Sequence, residues 1–515
     1  MPILQEPLAL QKTSSLVRCG PQSRRIGQAW RTHRYILPAF IVTLLACAWF
    51  CTWGDWRFFE PEEFCRFYDA QAIALLDGRL DVPPTAIGTE AFIVGAKTYG
   101  YFGIAPALLR LPLVIAFDGM DGLWSRLMMM AAATINLICA YQILRTVRGQ
   151  QRVTARTKLL HSVFIICAGI GSTNVFLVAR SFTYHEAIMW AGTFALLFVC
   201  VILKYLARPR YKLLALAGFF AFMSFLSRPT VGAGVLLAVG FLGLALLWCA
   251  TRSDKEPRKL IGLIGFRPTD HPLRHAAAAA AIVILTLAVY FGVNYGKFRT
   301  INGVPLQYYY YSKVMPARLQ ITGGKQLHAE NILSTAASYF GVYGFTFRNS
   351  FPWFDRTRRP SIVGHPAIDM VDGFSSVPVS MPCLTLLALL GAWIVARGRD
   401  DVARRLRLPA AVLLIGGSIV LANVALSERY LHDFYPAIIV LAAAGLCRLE
   451  RVRSGFAWKM GGLVTLTAIS IMLNCSFALL HQRLTTGAPP EKVTEFRQWQ
   501  SRIDGYFHPR SGAEL

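Results

Sequence analysis

The sequence predicts an all-α polytopic membrane protein with about eleven transmembrane helices and two large extracytoplasmic loops. Three observations lead there. Hydrophobic residues make up 55% of the 515 positions and charged residues only 16%, with a mean hydropathy of +0.44. Apolar runs approaching the roughly 20 residues that span about 30 Å of hydrocarbon recur from Tyr35 to the last forty residues. The basic residues, which give a formal net charge of +25, are crowded into alternate connections between those runs. Such a composition excludes a disordered chain, a coiled coil and a disulfide-stapled secreted domain, and the hydropathy argues against a soluble nucleic-acid binder.

Taken in order, residues 1–34 form a basic N-terminal segment carrying Lys12, Arg18, Arg24, Arg25, Arg31 and Arg34. The run 35–53 follows as the first transmembrane helix. It lacks a small-residue cleavage site and so reads as a retained anchor. Residues 54–123 form the first extracytoplasmic loop. Within it Ile104 to Phe117 is apolar but only 14 residues long and interrupted by Pro106, Arg110 and Pro112, which predicts an interfacial helix. Helices 2–7 occupy 124–294, with spans near 124–144, 159–179, 186–206, 212–227, 229–250 and 276–294. The second large loop is 295–381. Helices 8–11 occupy 382–481, near 382–396, 409–426, 434–447 and 461–480. The polar tail 482–515 is expected to dock through Phe496, Trp499 and Tyr506.

Charge orients this arrangement. With the N-terminus cytoplasmic, the connections 145–158, 204–212, 251–275, 397–407 and 448–459 join residues 1–34 on one side. Together they hold 30 of the 53 Lys and Arg but only 7 of the 28 Asp and Glu, a balance of +23 that leaves +2 for the rest. The positive-inside rule therefore favours eleven spans, because a crossing at 104–117 would invert every later loop.

The 11 Cys are scattered, mostly in apolar runs, without metal-ligand spacing. No nucleotide fingerprint, G-x-S-x-G elbow or H-E-x-x-H motif occurs. No fixed-period repeat and no matched pair of broken helices supports an inverted-repeat transporter.

Chemistry is expected on the extracytoplasmic face. Eight acids crowd residues 55–90 of the first loop, and Glu62, Glu63 and Asp69 stand out because they precede and enter the amphipathic stretch Phe67 to Leu76. A partly desolvated carboxylate at the membrane surface can take a proton from a hydroxyl. Cations at helix ends on the same face (Arg180, Arg228, Lys297, Arg299 and Arg429) suggest an anionic ligand such as a phosphate. Tyr184-His185-Glu186 opens a span, where Glu186 also suits the helix macrodipole. Tyr308 to Tyr311, with Trp353 and Phe354, reads as an aromatic belt or a sugar-stacking surface.

Four stretches resemble the GT-C superfamily of integral-membrane glycosyltransferases: EEFCRFYDAQAIALLDGRLDVP (Glu62 to Pro83), EAFIVGAKTYGYFGIAPALLRLP (Glu90 to Pro112), SRP (Ser227 to Pro229) and ERYLHDFYP (Glu428 to Pro436). The plan of one span, an acidic outer loop, about eleven spans and a later large loop is similar too, distantly like the aminoarabinose transferase and protein O-mannosyltransferase group. The resemblance implies a GT-C-like fold and transfer of a sugar, with inversion, from a polyprenyl-phosphate-linked donor to an extracytoplasmic glycan, lipid or protein, in a bacterial inner membrane. It implies Glu63, or else Asp69, as the base. Glu62, Glu90, Lys97, Tyr99, His185 and Glu186 would contact substrate, and Arg180, Arg228, Lys297 and Arg429 would hold the phosphate. A divalent cation is a candidate cofactor, and membrane lipids, not nucleic acid, are the expected partners. Two alternatives stay open: a glycan polymerase or ligase using a diphosphate-linked donor, for which the second loop offers Arg348, Arg356, Arg358, Arg359, His328 and His365, and a lipid or solute transporter.

Overall fold

The computed structural model describes residues 33–117, 119–251, 255–452 and 454–507. Each of the eleven apolar runs is occupied by a helix: Leu37–Cys51, Ser125–Arg148, Ala155–Gly169, Thr183–Ala207, Tyr211–Ser227, Pro229–Thr251, Pro272–Phe298, Pro382–Arg397, Asp401–Ser418, Tyr435–Arg451 and Phe456–Leu484. Seven of these segments are long and apolar enough to cross a membrane, and the chain is a helical multi-pass membrane protein. The other four are 15 to 17 residues long. Short flanking helices extend two of them. Ala155–Gly169 is followed, after a break at Gly171 and Ser172, by Thr173–Val178, whose N-cap Ser172 accepts the Asn174 N–H. Val377–Ser380 leads into Pro382–Arg397.

One boundary departs from the hydropathy reading. The helix expected from 409 begins at Asp401, because Asp400 caps it by accepting the N–H groups of Val402 and Ala403. Its first turns therefore carry Arg404, Arg405 and Arg407, and Pro409 lies inside it. The run 104–117 is the helix Ala105–Ala116, whose 12 residues reach only about 18 Å. It packs on Phe67–Leu76.

Two helices form the centre of the bundle. Every residue from Tyr435 to Cys447 is buried, and Thr183–Ala207 is buried along most of its length. The tightest pairing is Tyr435–Arg451 with Pro382–Arg397, where Gly391 and Gly445 let the backbones touch. A methyl group on Gly391 would overlap the Leu441 carbonyl, and one on Gly445 the Leu387 carbonyl. Small residues at a helix crossing are the expected solution in lipid, where helix association relies on close van der Waals packing.

The two large loops lie at one end of the bundle and carry three two-stranded sheets. Phe92–Val94 pairs antiparallel with Lys97–Tyr99 in the first loop. Phe345–Phe347 pairs antiparallel with Phe354–Arg356 in the second, Phe345 opposite Arg356. Met370–Val371 runs parallel to Ala425–Leu426, tying the second loop to the segment before Tyr435–Arg451. A bridge between Phe92 and Tyr309 joins the two loops. The tail forms the helix Pro490–Phe507, held by buried Phe496 and by Trp499 stacked on Trp49, with ring centroids 6.2 Å apart. Tyr506, expected to dock with them, is 86% exposed.

Gly391→Leu should lower the melting temperature of the detergent-solubilised protein by several degrees, because overpacking such a contact costs about 1–3 kcal/mol. Gly461→Leu, at a helix position with open space around it, should leave the melting temperature within a degree of wild type. Equal behaviour of the two variants would refute the crossing.

Candidate functional site

A cavity of about 730 Å³ opens where the two loops, the start of Thr183–Ala207 and the end of Phe456–Leu484 meet. A second, of about 780 Å³, lies beside it. Glu63, Phe64 and Thr89 line both, so they form the wall between the two spaces.

The chain places Glu63 there by turning sharply at Phe64, whose φ is +55°. The turn sends two adjacent carboxylates to different fates. Glu62 points inward, accepting the Trp53 indole N–H at 3.0 Å and the Ser181 amide at 2.8 Å, and it pairs with Arg180 Nε at 3.0 Å. Glu63 keeps 35% of its side chain exposed, with Arg180 Nη2 at 3.9 Å. Its Oε2 is covered and has no hydrogen-bond partner. Gly487, at a φ of +78°, lies against that carboxylate so closely that a β-carbon would occupy its place. Arg180 is fully buried and donates to Thr485 Oγ1 at 3.1 Å. It stacks on the Phe182 ring, 4.1 Å from its centroid.

The cavity of about 730 Å³ that Glu63 lines is also lined by four arginines: Arg318, Arg356, Arg358 and Arg429. Arg429 pairs with Asp372 at 2.9 Å and lies over the Tyr184 ring at 4.6 Å. Arg318 pairs with Asp369 at 2.7 Å. Arg356 is less committed: it donates to the Gly373 carbonyl at 3.4 Å, is 4.0 Å from Asp355, and its Nε has no hydrogen-bond partner. Burial depresses its guanidinium pKa, with the charge of Glu428 opposing that shift. Arg358 is exposed and has no hydrogen bond or ion pair among the described residues. Beside them Glu90 accepts the Tyr309 hydroxyl at 2.9 Å, and burial raises its pKa despite that bond. His481, in the last turn of its helix, lines the cavity with both ring nitrogens unpartnered. Orphaned donors and unpaired guanidinium groups around one space make it suited to an anion.

Of the sequence-predicted site residues, Glu63, Glu90 and Arg429 line this cavity, while Glu62, Arg180 and His185 stand behind its wall. His185 is buried; its Nδ1 faces the Arg180 carbonyl at 2.9 Å, bracing the turn, and its Nε2 has no hydrogen-bond partner. The others are corrected. Asp69 and Glu186 are sealed in the bundle as the two carboxylates of a buried triad with Arg110. Glu186 accepts from Arg110 at 2.5 and 2.8 Å, and Asp69 also accepts the Gly122 amide. Asp69 cannot reach a hydroxyl from there. Arg228 is consumed by Asp433 at 2.9 and 3.0 Å. The buried ammonium of Lys297 donates to the carbonyls of Gly100 and Phe102, both at 3.1 Å. Lys97 sits at the exposed hairpin tip, 3.4 Å from Asp81, and Tyr99 packs with Phe92 and Phe298 in an apolar cluster. Sequence reading missed Arg318 and His481 altogether. It found Arg356 and Arg358 only as part of a late-loop cluster; their local signal was the basic run Arg356, Arg358, Arg359.

Neither a protein-family model nor a curated protein matches the sequence. Solved structures of similar chain course exist. The oligosaccharyltransferase AglB from Archaeoglobus fulgidus, in complex with an inhibitory peptide and a dolichol-phosphate, is 12% identical with a TM-score of 0.47, covering 92% of this chain and 60% of that one. Its apo form is 13% identical with a TM-score of 0.47, covering 93% and 60%. ArnT from Cupriavidus metallidurans, bound to undecaprenyl phosphate, is 10% identical with a TM-score of 0.46, covering 94% and 70%. The chain thus spans about three fifths of the length of the AglB chains it matches. At such identities and scores no residue-by-residue correspondence carries over.

Two outcomes test this geometry. Arg110→Met strands two buried carboxylates and should cost about 3–5 kcal/mol, seen as loss of folded protein on size exclusion. A triple replacement of Arg110, Asp69 and Glu186 by apolar residues should recover most of the loss. Glu428, buried and bonded to Ser375 N–H at 2.5 Å and to Ser375 Oγ at 2.8 Å, has its pKa raised by burial from 4.5 to about 7. A raised carboxyl pKa favours the folded state below the unfolded value, and that contribution is lost as pH climbs to about 7. The melting temperature of wild type should therefore fall between pH 5 and 7.5 more steeply than that of Glu428→Gln, and parallel profiles would contradict the assignment.

Proposed function

We propose that this chain is a membrane glycosyltransferase that moves a sugar from a polyprenyl-phosphate-linked donor to a hydroxyl acceptor on the extracytoplasmic face of the bacterial inner membrane. The observation that carries it is the position of Glu63, a carboxylate in the wall between an arginine-lined cavity and a second open space. The first-loop resemblance stated above supports the same reading.

The donor phosphate is assigned to Arg356, Arg358 and Arg429, which leaves its sugar facing Glu63. The acceptor enters from the other side of the wall. Glu63 takes the proton of the acceptor hydroxyl as the oxygen attacks the anomeric carbon. A new C–O bond forms there while the bond from that carbon to the phosphate oxygen breaks, and the bonding pair leaves with the phosphate. Attack from the face opposite the phosphate inverts the centre. Guanidinium groups in a partly desolvated cavity stabilise the charge that grows on the departing phosphate. Glu90 and the Tyr309 hydroxyl, 2.9 Å apart, are placed to bond sugar hydroxyls. Among the described residues no three His, Cys, Asp or Glu side chains converge as a metal-holding set. Asp369 and Asp372 are each engaged by an arginine, so no step is routed through a metal.

One observation favours a second reading, a polymerase or ligase with a diphosphate-linked donor: two of the late-loop arginines, Arg356 and Arg358, line the cavity. The late-loop histidines do not join them, since His328 faces Glu330 and the Thr322 carbonyl.

Both readings give up a lipid phosphate, and mass spectrometry distinguishes them. Protein in nanodiscs with extracted lipid-linked sugars should release polyprenyl monophosphate, whereas diphosphate as the released lipid would establish the second reading. Glu63→Gln should slow release by a factor of about 10²–10⁴, the usual contribution of a general base, with an unchanged melting temperature. Full activity in that variant would remove the base assignment.

A further inference from the structure

We infer that the opposite end of the bundle holds a second, independent site, one that binds the phosphate of an anionic lipid headgroup. A cavity of about 410 Å³ opens there, and among its lining residues are His33, Tyr35, Gln142, Arg145, Arg148 and His161. Among the described residues no carboxylate lines it. It lies where Leu37–Cys51 and Ala155–Gly169 begin and Ser125–Arg148 ends, the depth at which headgroups meet a helical bundle. This is also the end to which the positive-inside count assigns the basic connections, and so the inner leaflet.

The walls are held in place before any ligand arrives. His33 Nδ1 is 2.9 Å from the Tyr141 hydroxyl, which donates to the Tyr35 hydroxyl at 3.3 Å, and that oxygen is 2.8 Å from His161 Nδ1. Arg148 donates to Glu450 at 3.0 and 3.2 Å and to the carbonyls of Gln151 and Arg152, both at 2.6 Å. Glu450 lies behind this wall and also accepts the Thr157 hydroxyl at 2.7 Å. Two donors are left over. His161 is buried and its Nε2 has no hydrogen-bond partner, with Glu450 at 3.8 Å. The half-buried Arg145 lies over the Tyr141 ring at 5.9 Å, and its one hydrogen bond among the described residues is a long one, to the Gln142 side-chain oxygen at 3.5 Å, which leaves most of its planar fork for phosphate oxygens. A cavity with only basic and neutral polar walls, one committed arginine and one uncommitted arginine fits a phosphodiester, and its depth selects a lipid as the carrier.

Native mass spectrometry of the full-length protein tests the site, with phosphatidylglycerol, phosphatidylcholine and inorganic phosphate as separate probes. Wild type should retain phosphatidylglycerol about tenfold more tightly than phosphatidylcholine, the ratio expected from one charge-assisted contact. Arg145→Gln should abolish most of that preference, and Thr146→Glu, which puts a carboxylate at the rim, should do the same if the first variant folds poorly. Arg404→Gln, which removes a cation elsewhere on the same end, should keep the preference. Equal retention of the two lipids, an unchanged Arg145→Gln, or an equal loss in Arg404→Gln would overturn the site. Displacement of the lipid by millimolar inorganic phosphate would overturn the lipid as its ligand.

Discussion

A guanidinium with no exposed surface needs partners for its charge, and the loop-bearing end of this molecule is arranged around one, Arg180. Its Nε meets Glu62 of the first loop, its Nη1 reaches Thr485 after the last span, and its plane lies on Phe182 just before a central helix. An unpaired charge at that depth would be costly, so the three segments are bound to one another through it. Glu62 satisfies Arg180 and leaves the next residue, Glu63, facing the cavities. The proposed base is thus placed by its neighbour's ion pair, and Gly487 leaves room for it because no side chain stands there.

The same logic separates structural from available charge over the whole outer face. Asp69, Glu186 and Arg110 close on one another inside the bundle, Arg228 closes on Asp433, and Lys297 caps two carbonyls. Several groups left without a partner line one cavity: the Nε of Arg356, both nitrogens of His481, the Oε2 of Glu63 and the exposed Arg358. Stability accounts for the closed sets. The open set is where a ligand adds interactions the fold does not supply.

Hydropathy and charge were enough to read the bundle, because lipid imposes one period and one length on every spanning segment. They also marked Ala105–Ala116 as a short helix, set apart from the longer runs by its prolines, its arginine and its length. The helix start at Asp401 escaped, since a cap at Asp400 outweighed the polarity of the residues after it. Local pattern singled out Glu63 and Arg429, both of which line the cavity. Other residues were misread where a distant partner decided the matter. Nothing near Arg228 announces Asp433, 205 positions away, and nothing near Asp69 announces that Arg110 comes between it and Glu186. Arg318 and Asp372 gained their place through the pairing of Met370–Val371 with Ala425–Leu426, a register that two-residue strands do not reveal in sequence.

The central claim is that the arginine-lined cavity holds a lipid phosphate with the sugar turned toward Glu63. An experimental density map of the protein in nanodiscs with a non-hydrolysable polyprenyl-phosphate sugar tests it most directly. The account predicts the phosphate within hydrogen-bonding distance of Arg356, Arg358 or Arg429 and the anomeric carbon on the Glu63 side. A phosphate seated elsewhere, with Glu63 facing only solvent, would contradict it.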